Sequence, residues 1–198
     1  MITIFKLHQQ IDDTVNINHQ IYKVDMSFDN ILLLLELLND SEITNTEKIL
    51  HGINILLGVS FLYDIETQVK IFNELLEKFI MTSERETSYD VEGNPMPTPK
   101  KDKHFDLDHD AEYIYASFYQ AYGIDLIDQQ GKLHWYKFQA LLAGLPEDTQ
   151  FRHVIDIRTR PYQKGKGTYK ENRQLKKLKE KYALPGTRIK DIGGERDG

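Results

Sequence analysis

The sequence predicts a mainly α fold: a helical bundle with a small N-terminal β-hairpin and a long linker between two helical parts. Three observations predict it. Apolar residues recur at three-and-four spacing through most of the chain. One early run, VNINHQIYKV from Val15, alternates instead around a polar Asn18-His19 centre. Residues 84–104 lose all periodicity and gather Pro95, Pro97 and Pro99 among Gly, Asn, Ser and charges, the composition of a flexible linker or exposed loop.

Taken in order, residues 1–83 hold the hairpin and three helices. Behind a Ser27 cap, Phe28, Ile31, Leu32, Leu35 and Leu38 mark one helical face. Thr44-Asn45-Thr46-Glu47 has the spacing of a capping box, in which hydroxyl and carboxylate each satisfy an orphan amide. Ile49, Leu50, Ile53 and Leu57 follow it, and Gly58 stops the helix. A third helix starts near Asp64, with Ile65, Val69, Phe72, Leu76, Phe79 and Ile80 as its stripe. Beyond the linker, residues 105–160 form an aromatic-rich helical region. Leu107, Ala111, Ile114, Tyr115, Phe118 and Tyr122 share a face ending at Gly123. Trp135, Phe138, Leu141 and Leu142 form a second stripe ending at Gly144 and Pro146. Thr149 caps a short helix carrying Phe151, Val154 and Ile155. Pro161, Gly165 and Gly167 then break the chain, and Thr168-Tyr169-Lys170-Glu171 repeats the capping-box spacing at the head of a basic segment, 161–190. Residues 191–198 read as a loose tail.

The 198-residue chain is 40% hydrophobic and 28% charged, the composition of a globular protein. No window approaches the roughly 18 apolar residues of a spanning helix, and the start lacks a signal-peptide pattern, so a soluble, cytoplasmic chain with no membrane partner is expected. Without cysteine there is no disulfide, thiolate chemistry or cysteine-ligated zinc. Charge is unevenly placed: residues 1–83 and 84–157 are each net −7, whereas Arg158 to Lys190 holds 12 basic residues against 2 acidic ones. A cationic end on an anionic body fits self-association, an acidic protein partner or a polyanion.

Motifs that look catalytic or metal-binding fail on spacing. Asp106, Asp108 and Asp110 imitate the opening of a calcium loop, but the positions needing Gly and Glu hold Ala111 and Ser117. Carboxylates at a helix N-terminus explain them better. His104, His109 and His134 lack metal-ligand spacing, Gly165-Lys166-Gly167 lacks the rest of a phosphate loop, and Ser60 lacks a nucleophile elbow. We expect no enzyme, no cofactor and no metal. In the basic segment Leu175, Leu178 and Tyr182 make a thin apolar stripe, while Lys170, Arg173, Lys177 and Lys181 line another face. A solvated surface helix is the bland account; an acidic protein partner and a nucleic acid are the alternatives.

The runs Ala111-EYIYASFYQAYGIDL, Leu133-HWYKFQALLAGLPEDTQF, Ile155-DIR and Leu175-KKLKEKYALP resemble the bacteriophage Gp-fifteen-type family of long-tailed phages and prophages of Gram-positive bacteria. The resemblance covers most of the chain. It implies a non-enzymatic tail assembly chaperone that binds the tape-measure protein, helps recruit tail-tube subunits and leaves before the virion is complete. A nucleic-acid-binding accessory protein is the runner-up. Trp135 and Phe138 lie on the matching aromatic motif and share one stripe, as core residues do. Tyr136, rotated about 100° from Trp135, is the better candidate for a partner contact. Lys170, Arg173, Leu175, Lys177, Leu178, Lys181 and Tyr182 complete the candidate set.

Overall fold

The computed structural model describes residues 7–61, 63–80, 104–165, 167–187 and 189. The expected linker, His104 apart, and the expected tail at 191–198 lie outside the described residues. Within them the fold is mainly helical with one two-stranded antiparallel hairpin, as the periodicity predicts. Two compact units result. The first gathers the described residues up to 80 with Gln129–Ala140; the second takes 104–128 with the described residues from Leu141 onward.

In the first unit, β1 (Thr14–Ile17) and β2 (Gln20–Lys23) pair with Val15 opposite Tyr22 and Ile17 opposite Gln20. Asn18 and His19 both take positive φ, 50° and 65°, the two-residue turn whose twist matches that of the strands. Alternation sends Val15 and Ile17 into the core and leaves Ile21 outside. α1 (Phe28–Asn39) follows. The Ser27 hydroxyl does not cap it as expected, because both the Ser27 amide and hydroxyl donate to the Asp25 carboxylate. α1 buries Phe28, Ile31 and Leu34, whereas Leu32, Leu35 and Leu38 are only half-buried. Its neighbour α2, rather than its own periodicity, sets the centre of that face.

α2 (Asn45–Leu57) carries the predicted capping box. The Thr44 hydroxyl accepts the Glu47 amide at 3.3 Å, and the Glu47 carboxylate accepts the Thr44 amide at 3.0 Å. α3 (Ile65–Leu75) starts at Asp64, whose carboxylate accepts the Thr67 amide and hydroxyl. A π-helical turn, Leu76–Ile80, extends it. The buried face runs through Gln68, Ile71, Phe72, Leu75 and Phe79; Ile65 is exposed, and Val69, Leu76 and Ile80 are half-buried. A Cβ at Gly52 would stand 2.5 Å from the Phe72 ring, so the missing side chain is what lets Phe72 approach α2 this closely.

α5 (Trp135–Ala143) begins in the first unit and ends in the second. Its start is tied to α1 by a short antiparallel bridge: the Phe28 amide donates to Leu133 and the Trp135 amide to Met26. Phe28 stacks on Phe138 with centroids 5.0 Å apart, and Phe138 stacks on Trp135 at 5.6 Å. Trp135 and Phe138 are therefore core, as their spacing predicts.

The second unit is built on α4 (Ala111–Tyr122), α6 (Gln150–Thr159) and α7 (Tyr169–Lys181). α4 stops at Gly123, whose φ of 65° lets its amide return to Tyr119. The expected Thr149 cap on α6 is not made; the Thr149 hydroxyl donates to the Pro146 carbonyl. A neighbouring helix supplies the acceptor instead. Buried Ser117 of α4 accepts the Phe151 amide at 2.9 Å while donating to Tyr113 O at 2.6 Å. On α6, Phe151, Val154 and Ile157 are buried and Ile155 only partly so. The expected capping box at Thr168 is also absent. With ψ near 1° the residue is not in the extended conformation that aims a hydroxyl at the third amide, and it donates to Gly165 O instead. Asn172 ties this end down, its side chain pairing with both the amide and the carbonyl of Gln163.

Gly52→Ala is expected to lose about 1–3 kcal/mol by forcing the Phe72 ring out of its place; denaturant unfolding measures it. A second expectation concerns acid. The Glu47 carboxyl is held below its usual range first by the Thr44 hydroxyl, and Asp64 first by the Thr67 amide. Depressed carboxyls stabilise above their unfolded pKa, and that contribution disappears as pH falls through the folded one. Helical ellipticity in an acid titration should therefore fall in the carboxylate range and below it, less in the Glu47→Gln, Asp64→Asn variant.

Candidate protein-binding surface

The second unit is fastened by one ion pair. Asp110 is wholly buried at the head of α4, and Arg158 of α6 grips it with both terminal nitrogens, at 2.6 and 2.7 Å. Two further donors are also used: Nε donates to Tyr182 O at 2.6 Å and Nη1 to His104 O at 3.1 Å. A planar guanidinium suits this because its fixed fork meets a carboxylate bidentately and still reaches two carbonyls. Nearby, the Asp106 carboxylate accepts the amides of Asp108 and His109, and the Asp106 amide donates to Asp110. The acidic run thus orders a turn before α4 and buries a charge for Arg158. Arg158, counted with the basic segment, belongs to the interior.

α7 rests on this hub. Leu175 is buried, and the Lys179 ammonium donates to Arg158 O at 2.9 Å and lies over the Tyr162 ring. Burial pushes the Lys179 pKa below its usual value, and the Arg160 charge adds to that. Tyr182, half-buried, sets its ring edge-on to Tyr113 at 6.1 Å and gives its carbonyl to Arg158. On the opposite side of the helix Lys170, Arg173, Lys177 and Lys181 are exposed, with Lys181 above the Tyr182 ring. Leu178 lies beside this stripe, 41% exposed. The candidate residues of α7 therefore divide. Leu175 and Tyr182 hold the helix to its own unit, while Lys170, Arg173, Lys177, Lys181 and Leu178 face outward.

Tyr136 belongs to the first unit. It is half-buried, and its hydroxyl donates to Phe79 O at 3.0 Å, filling one of the carbonyls that a helix end leaves open. Beside it, His134 Nδ1 accepts the Tyr136 amide at 3.0 Å, which leaves the proton on Nε2, facing Asp13 at 3.0 Å. A cleft of about 410 Å³ lies here, lined in part by Asp13, Asp25, Ser27, Lys132 and His134. Both His134 nitrogens are occupied and Ser27 donates to Asp25, so this cluster fastens the bridge between α1 and α5.

Sequence reading missed three features here. Asp110 and Arg158 are 48 residues apart, and Ser117 contacts α6 across 34. The third is a group on α4: Tyr115, whose hydroxyl donates to Asp125 at 3.0 Å, and Tyr119 one turn on, 59% exposed. The hydrogen bond to Asp125 is the first cause of a raised Tyr115 pKa, followed by desolvation and the charges of Asp125, Tyr119 and Asp128. A phenol at i and i+4 in the sequence was the available signal.

The fold and this surface define a mainly helical protein that presents a cationic helix; among the described residues no helix is long and apolar enough to cross a membrane. The chain belongs to the Bacteriophage Gp15 protein family, whose model matches residues 7–184, and it is thus a bacteriophage protein. That match spans all seven α-helices described. No curated protein and no solved structure matches the chain.

Removing Arg158 alone strands a buried carboxylate. Arg158→Met is expected to cost about 3–5 kcal/mol, and the double change Asp110→Leu with Arg158→Met to recover much of it. Denaturant unfolding of both variants and of the natural chain measures the difference.

Proposed function

We propose that this protein is a tail assembly chaperone: it binds the tape-measure protein without catalysis or cofactor, helps recruit tail-tube subunits, works in the cytoplasm of the infected or lysogenic host, and is left out of the finished virion. Family membership over residues 7–184 is the observation that carries this reading. The outward edge of α7 supports it. Leu178 is exposed beside Lys170, Arg173, Lys177 and Lys181, which combines an apolar anchor with charges that set a partner's register. A tape measure made of long helices exposes apolar stripes that aggregate unless another protein covers them.

Co-expression with the tape-measure and tail-tube proteins of its own gene neighbourhood, followed by pull-down and light scattering at two salt concentrations, tests the proposal. A soluble complex is expected, with Leu178→Asp reducing capture. Absence of a complex, with nucleic acid copurifying instead, would overturn it in favour of a nucleic-acid-binding accessory protein acting through the cationic face.

A further inference from the structure

The second unit carries a surface that none of the roles above employs. On α4, Glu112, Tyr115 and Tyr119 fall at i, i+3 and i+7, one face of the helix. Glu112 is exposed and Tyr119 is 59% exposed. After the turn at Gly123 the chain returns Asp125 to this face, where its carboxylate accepts the Tyr115 hydroxyl and the Ile127 and Asp128 amides. Leu126 is buried, but Ile127 points out and is 63% exposed. Two phenol rings and an isoleucine with the carboxylates of Glu112 and Asp125 offer what a lysine- or arginine-bearing helix needs: ring faces for the cation, oxygens for its N–H groups, and an apolar seat for a neighbouring leucine.

The same chain holds the complementary element. α7 carries Lys170, Arg173 and Lys177 on one face, with Leu178 exposed at its edge. Within its own molecule that face is out of reach. Leu175, Asn172 and Lys179 dock the opposite side of α7 onto the unit, which turns the cationic stripe away from it. We propose that the Glu112, Tyr115 and Tyr119 face of α4, with Asp125 and Ile127, receives the cationic face of α7 from a second copy of this chain. Each copy offers both halves, so the contact satisfies itself in an assembly of identical chains. It uses the same edge of α7 as the tape-measure contact proposed above, but its test needs only the pure chain, so either reading can fail without the other.

Sedimentation of the purified full chain tests this. The natural protein is expected to self-associate at low salt and to weaken by at least about tenfold at high salt, since the pairing charges are exposed and screened. Lys170→Glu, Arg173→Glu, Lys177→Glu in one variant should abolish association; so should Glu112→Lys, Tyr119→Lys, Ile127→Lys in another. All six positions face solvent, so unchanged unfolding midpoints verify the fold. An equimolar mixture of the two variants pairs each reversed helix with a reversed patch and should restore association. The proposal is overturned by a natural chain that stays monomeric at low salt, by association that survives high salt or either variant, or by a mixture that stays monomeric. The salt titration of the natural chain decides even if a variant does not fold.

Discussion

The buried pair of Asp110 and Arg158 governs the second unit. A carboxylate removed from water is costly unless a cation and further donors replace its hydration, and a buried guanidinium makes the same demand. Here each meets the other's demand, and the spare donors of Arg158 reach His104 and Tyr182. The chain just before α4, the last turn of α6 and the end of α7 are thereby brought to one point. Ser117 applies the same rule with a neutral group, giving the first turn of α6 the acceptor that Thr149 does not supply.

The first unit is held by different means. Its interior is apolar, and its closest approach is a matter of volume: the missing side chain at Gly52 admits Phe72 between helices. The segment around Trp135 joins this core by a backbone bridge and by the stack of Phe28, Phe138 and Trp135. His134 is turned inward to serve as a fastening, with both ring nitrogens engaged. A histidine that lacks metal-ligand spacing in the sequence is thus part of a helix start.

For binding, the consequence is a division of labour on one short helix. α7 has only Asn172 and Leu175 fully buried, and is otherwise attached through Lys179 and through the ring and carbonyl of Tyr182. Such an element keeps most of its surface for other molecules. Its outward cations are displayed because the hub beneath them holds the helix by its opposite side.

Helix and strand periodicity, the Thr44 box, the Gly58 and Gly123 stops and the Asn18-His19 turn were legible in the sequence, because each depends on residues within a turn of one another. The aromatic run around Trp135 likewise revealed Trp135 and Phe138 as core, while Tyr136, read as an outer contact, is half-buried with its hydroxyl on Phe79 O. What lay beyond reach were contacts spanning tens of residues: Asp110 with Arg158, Ser117 with Phe151, and residues 26–28 with 133–135. One of them, from Ser117, gives the first turn of α6 its acceptor, while the Ser27, Thr149 and Thr168 hydroxyls donate to acceptors two or three residues back. Contacts of this kind also set the exposure of α7. Local chemistry in the chain determined where its elements lie; only tertiary packing, by forcing every buried polar group to find a partner, decided which charges are spent inside and which remain to meet another protein.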